Sequence, residues 1–302
     1  MNASRVLFDE PGPRGRRRIA VGTVVVSVLI ALVLLLGLQQ LAGAGQLALA
    51  KWKPFWQQWA VAFLLEGLWG TLKVTLAAAV VDFPLGGLLA VGRSGRQPVV
   101  KALCTAYIEI FRSVPTLLLV YMFLFALPGV GLNLSIFAKL TIPIVLINAA
   151  VVAEIVRAGI NALDRGQTEA ALALGMTRGK ALRLVVLPQA VRLVVPTLVT
   201  QLVAVLKDST LGYVVSYPEL MKQANNLANN TKLLLQAFVV VSAIYVVINF
   251  ALTRLATWLE QRLRQRPGTR PAGPVGPVGP VAATSTGVTG ELDDLPARVA
   301  PR

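Results

Sequence analysis

Long apolar runs dominate the chain, and their length is the first structural signal. A helix that crosses a bilayer takes about 20 mainly apolar residues. Six stretches reach that length, at roughly 19–41, 60–91, 102–127, 134–156, 182–205 and 233–255. Two of them, 60–91 and 102–127, exceed one crossing, which predicts amphipathic shoulders lying at the interface. The stretch 99–111 has that character, because Lys101, Glu109 and the following Arg112 interrupt its apolar residues. The first run follows basic residues, yet 19–36 is too long for the core of a cleaved signal and reads as a retained anchor. The predicted class is an all-α integral membrane protein with six transmembrane helices.

Composition sharpens this. Of 302 residues, 55% are hydrophobic and 14% charged, against about 25% charged in soluble domains. The net charge of +15 raises the question of nucleic acid, but the cations lie between apolar runs and form no basic face. They follow the positive-inside rule instead. With the N-terminus in the cytoplasm, the inner segments hold Arg14, Arg16, Arg17 and Arg18, then Arg93, Arg96 and Lys101, then a cluster from Arg157 to Arg192, and finally Arg254, Arg262, Arg264 and Arg266. The outer loops hold only lysines: Lys51, Lys53, Lys139, Lys207, Lys222 and Lys232. Both ends are therefore expected in the cytoplasm, and no nucleic-acid partner is expected.

Counting removes several chemistries. The chain has no histidine and a single cysteine, Cys104. Histidine triads, histidine metal ligation, thiolate clusters and intrachain disulfides are thereby excluded. Cys104 lies in an apolar stretch and reads as a small buried hydrophobe. Residues 175–181, Gly-Met-Thr-Arg-Gly-Lys-Ala, look like a phosphate loop but have three residues between the glycines instead of four. Ala181 stands where a magnesium-binding hydroxyl is needed. The chain is expected to bind no cofactor.

One polar segment between the fourth and fifth runs stands out: Asp164 to Ala190, DRGQTEAALALGMTRGKALRLVVLPQA. Thr168 is placed to cap a short helix, with Glu169 in its first turn against the positive end of the dipole. The body, Ala170, Ala171 and onward to Leu174, is small and apolar all round. Gly175 supplies the left-handed residue that ends it. Thr177 caps the next helix, which is kinked at Pro188. A short apolar helix facing water either docks in a partner's groove or lies on lipid.

These residues resemble a known family. Glu169-Ala-Ala, Gly175 and Leu187-Pro188 match the EAA-x3-G-x9-xLP loop of ABC importer permeases. Phe111-Arg-Ser-Val-Pro115 is similar to the FRGTP element of the polar amino-acid group, with Ser113-Val114 in place of Gly-Thr. Ala153-Glu-Ile-Val-Arg157-Ala-Gly-Ile160, Gly166-Gln167 and Leu206-Lys-Asp-Ser-Thr-Leu211 match in order, so the resemblance covers about residues 65 to 255. The additional first span and the leader Val6 to Pro13 resemble actinobacterial glutamate-system permeases.

The resemblance implies a five-helix MetI-like core after an extra first span. The expected organisation is a basic segment over 1–18, the extra helix and external loop over 19–64, the permease domain over 65–260, and a flexible tail over 261–302 that contains GPVGPVGPV. It implies import of a polar amino acid, glutamate first, with glutamine and arginine as alternatives. Apart from the resemblance, a secondary amino-acid transporter stays open but would need inverted repeats and ion-coupling acids, and the acids are few. ATP and magnesium would sit on a separate ATPase subunit that receives Glu169, Ala170, Ala171, Leu174 and Gly175. The other implied partners are a second permease chain (a heterodimer favoured, a homodimer open), an extracellular solute-binding protein and the lipid of a bacterial cell membrane.

Charges inside spans are costly, so they mark cavities or internal pairs. Glu154 lies one turn before Arg157. It either faces a cavity and the substrate ammonium or pairs internally. Asp82 reads as structural, and Lys73 as snorkelling to the interface. Lys207, Asp208, Ser209 and Thr210 form either a gate or a solvated helix end. Arg112 and Ser113 sit before Pro115, with Arg112 either an interfacial anchor or paired to an acid at the cavity floor.

Overall fold

The structure is a computed structural model and describes residues 12–264. All the regular elements among them are helical. Helix α1 is Pro13–Gly43, and after two short helical turns α2 runs over Gln58–Ser94. Helix α3 is Pro98–Ser113, α4 is Thr116–Gly129 and α5 is Ile136–Asn161. Helix α6 is Arg165–Ala173, α7 runs over Arg178–Tyr213, α8 is Leu220–Thr231 and α9 is Leu234–Arg264. Five of these, α1, α2, α5, α7 and α9, are each long and apolar enough to cross a membrane. Residues 265–302, which hold most of the expected tail, lie outside the described residues.

The third apolar stretch departs from expectation. It is not one helix over 102–127 but a pair, α3 and α4, bent by 96°. Pro115 causes the break: the residue before a proline is pushed out of the helical region, and Val114 is accordingly extended at ψ 127°. The expected shoulder is thus a complete helix, α3, with Ile108 buried and Val99 and Leu103 exposed. The two reach the length and apolarity of a span only together, as a broken pair.

Helices α2 and α5 form the centre. Small residues along α2, among them Gly67, Gly70, Ala78, Gly86 and Ala90, are buried, which lets neighbouring backbones close in without large side chains. A Cβ at Gly86 would overlap the Val152 side chain and sit 2.8 Å from the Ala149 carbonyl oxygen. Around this pair lie three apolar clusters in sequence along α2. Phe55, Leu64, Leu220 and Leu227 form the first, Val74, Leu140, Ile144 and Val205 the second, and Ala90, Ile108, Val152 and Val194 the third. By contrast, no residue of α1 is buried.

Two π turns share one cause. Leu127 and Leu187 each donate their N–H five residues back, to the carbonyls of Met122 and Leu182, and a proline follows each of them. A proline ring clashes with the carbonyl four residues before it, and a widened turn makes room. The kink expected at Pro188 takes this form.

Candidate coupling and translocation site

The segment after α5 is built as a free-standing helical knob. Asp164 caps α6, its carboxylate accepting from the Gly166 N–H at 2.8 Å. This corrects the cap expected at Thr168, and Glu169 consequently lies beyond the first turn of α6. Asp164 wins because its short side chain reaches its own backbone two residues on.

The far end of α6 closes as expected. Gly175 has φ +82°. Its N–H reaches the Leu172 carbonyl at 2.9 Å, and the Met176 N–H reaches that of Ala171 at 3.2 Å, a Schellman closure. Thr177 then caps α7, accepting from the Lys180 N–H at 3.4 Å. Within α6, Ala171 packs inward, whereas Glu169 and Ala170 are exposed and the following Leu174 is 80% exposed. The knob offers the Leu174 side chain, small alanine surface at Ala170 and Ala173, and the Glu169 carboxylate to whatever lies beyond it.

Above the knob sits an ionic node. Glu154 on α5 accepts from Arg157 at 3.0 and 2.7 Å and pairs with Arg93 from the last turn of α2. Arg112 from the end of α3 lies 3.8 Å away. Glu109 binds Arg93 from its other side at 3.1 Å. Through these contacts one carboxylate ties the ends of three helices. Ser113 turns its hydroxyl to the Glu109 carbonyl at 2.7 Å.

A second polar group lies between α5 and α7. Asn148 donates to Asp208 at 3.0 Å and accepts from Gln201 at 2.7 Å. Asp208 therefore faces inward while its neighbour Lys207 is exposed, as adjacent helix positions require. Ser209 is fully buried, and its hydroxyl donates to the Leu206 carbonyl at 2.7 Å. The Thr210 hydroxyl likewise donates to the Lys207 carbonyl at 2.6 Å. Of the four candidates, then, Lys207 alone turns a charged group outward. Asp82 is wholly buried on α2 with neither carboxylate oxygen hydrogen-bonded. Lys73 lies over the Phe137 ring at 5.4 Å, and Cys104 is half-buried, not buried.

At the end of the molecule away from α6, Glu219 caps α8. It accepts from the N–H groups of Met221 at 2.8 Å and Lys222 at 2.6 Å, and from the Tyr245 hydroxyl of α9 at 3.2 Å. Burial pushes its carboxyl up to about 7, against the downward pull of those donors and of the Lys222 charge. Among the described residues no group of three or more acidic or cysteine side chains could hold a metal ion.

Sequence reasoning missed Asn148, Gln201 and Glu219 as structural polar groups, and took Arg93 only as a topology charge. Asn148 was visible as an amide inside an apolar run; its partners lie 53 and 60 positions away and carry no local pattern.

With this geometry in place, likeness to known proteins decides the family. Residues 82–265 match the family described as binding-protein-dependent transport system inner membrane component. The chain belongs to that family. It is 38% identical over 229 residues to the glutamate transport system permease protein GluD of Corynebacterium glutamicum, covering 74% of this chain and 84% of that one. The glutamate/aspartate import permease protein GltK of Escherichia coli O157:H7 is 34% identical, covering 67% of this chain and 94% of its own. A solved structure described as an amino acid ABC transporter with histidines superposes with TM-score 0.64 at 31% identity, over 67% of this chain and 94% of that one. The all-α permease fold and membership among amino-acid ABC permeases follow.

Proposed function

We propose that this permease imports glutamate, with ATP hydrolysed on a separate subunit seated on α6. The observation that carries the coupling role is the exposed knob: a capped nine-residue helix closed by a left-handed glycine, with Leu174 80% exposed. Glu169, Ala170, Ala171, Leu174 and Gly175 would form the coupling contact, with Ala171 supporting it from the inner face. The substrate reading is supported by the likeness to permeases named for glutamate. Lys207 would meet substrate at the outer rim, while Glu154 with Arg93, Arg112 and Arg157 would tie the helices at the inner end.

The proposed orientation puts α6 and both chain ends in the cytoplasm and α8 outside, facing a binding protein. Two permease chains are proposed per transporter, as a heterodimer. The test is reconstitution of the permease with its ATPase and binding protein in vesicles, followed by uptake of labelled amino acids. Glutamate accumulation that depends on ATP and on the binding protein is expected; uptake of glutamine or arginine alone would reassign the substrate. Uptake driven by an ion gradient without ATPase would overturn the class.

A further inference from the structure

Beside α6 lies a cavity of about 590 Å³ whose lining among the described residues includes Arg93, Lys101, Arg157, Arg165 and Arg178 and no carboxylate. A neighbouring recess of about 540 Å³ shares Leu182 with it and adds Arg96, Lys180 and Arg183, again with no carboxylate among the described residues. Nearby acids are already engaged: Glu154 and Glu109 hold Arg93 and Arg157, and Asp164 caps α6. Lys101, Arg165 and Arg178 form no ion pair among the described residues. So dense a set of cations in a concave site, three of them without an ion pair among the described residues, calls for an anion.

The depth of the site narrows which anion. Arg93 and Ser94 end the apolar helix α2, and α3 turns 96° away from α4. If α4 crosses the bilayer, α3 lies near the membrane plane, so the cavity opens at the level of lipid headgroups. Next to the cations, Val99 is 68%, Leu103 66% and Leu184 66% exposed, an apolar surface on which acyl chains can lie. Basic pockets between helices at such a surface suit anionic headgroups, each nearby cation favouring them by about fivefold in affinity.

We propose that the two recesses at Leu182 form a binding site for the headgroup of an anionic phospholipid. A lipid held there would bridge α2, α3, α5, α6 and α7, placing it directly behind the coupling knob. This inference does not depend on which amino acid is imported.

The test uses the whole transporter, permease with ATPase, in bilayers containing spin-labelled phosphatidylglycerol or phosphatidylcholine. Immobilised phosphatidylglycerol in excess over phosphatidylcholine is expected. The excess should fall about fivefold for each charge removed in Lys101→Gln and in Lys101→Gln with Arg178→Gln. Lys101→Arg and the pair Lys51→Gln with Lys53→Gln should keep it, which separates lost binding from lost folding. No preference for phosphatidylglycerol, or a preference unchanged in the double variant, overturns the proposal. Displacement by millimolar inorganic phosphate would make free phosphate the ligand. A preference seen for the permease alone but lost with the ATPase bound would make the recesses part of the subunit interface. Either result overturns the lipid assignment.

Discussion

At the scale of single residues, Gly175 and Glu154 carry the sharpest consequences. Gly175 has φ +82° and nothing within 4 Å of the position a Cβ would take. A substitution there meets no clash among the described residues and pays the left-handed penalty, about 1–2 kcal/mol. Gly175→Val is therefore expected to leave the permease inserted while abolishing ATP-driven uptake, because the distorted knob no longer fits its partner. Gly175→Asn, which tolerates that conformation, should retain part of the uptake. Normal transport by Gly175→Val with ATPase bound would remove the coupling role. For Glu154, removing the charge in Glu154→Gln leaves Arg93, Arg112 and Arg157 facing one another. Hydrogen bonds to charged groups contribute about 1.5–3 kcal/mol, and partial exposure reduces that to about 1–2 kcal/mol. A lowered melting temperature in detergent is expected. An unchanged melting temperature with reduced uptake would instead place Glu154 on the substrate path.

At the scale of elements, α8 is locked against α2 by absent side chains and a buried acid. A Cβ on Gly70 would overlap the Pro218 carbonyl oxygen, and one on Gly67 would lie 2.8 Å from Gln223 Cγ. Gly70→Val should therefore separate α8 from α2, seen as faster proteolysis within 214–231, with a loss of about 1–3 kcal/mol from overpacking. The buried cap adds a pH dependence. Glu219 is raised to about 7 from an ordinary value of 4.5, so the folded state holds the proton more tightly than the unfolded one. Its favourable contribution is present below the unfolded value and is lost as pH rises through about 7. Across that window roughly 3 kcal/mol is at stake. The melting temperature should be higher at acidic pH than above neutrality, and Glu219→Gln should flatten the difference. A profile that Glu219→Gln leaves unchanged would assign the pH dependence elsewhere.

At the scale of the molecule, the arrangement of crossings ties topology to function. Gln236, near the start of α9, donates to the backbone carbonyl of Gln46 in the link after α1 at 2.9 Å. That link and the start of α9 therefore lie at one end of the bundle, together with α8 and the start of α2. If α1 and α9 each cross once, Pro13 and Arg264 end on the face that carries α6. In a Cys104→Ser background, Asn229→Cys on α8 should react with an impermeant thiol reagent added outside intact cells. Ala162→Cys, just before α6, should react only after lysis. The reverse pattern would invert the orientation and place the coupling knob outside.

The sequence by itself determined the class, the approximate positions of five of the six expected apolar helices, the end of α6 at Gly175 and the cap of α7 at Thr177. Each of these depends on interactions within a few residues: apolar length, a left-handed glycine, a hydroxyl beside free N–H groups. It also displayed the five motifs of the permease family, because they are contiguous. The structure showed that Asp164 and not Thr168 starts α6, although the deciding contact is itself local: two caps competed, and the Asp164 carboxylate reaches the Gly166 N–H two residues on. Only the tertiary structure brought Arg93 to Glu154 and to Glu109, across 61 and 16 positions, and turned Asp208 inward to Asn148. Charge on a membrane chain reads first as topology, and a cation becomes a pair or a vacancy for an anion only when folding sets its neighbours.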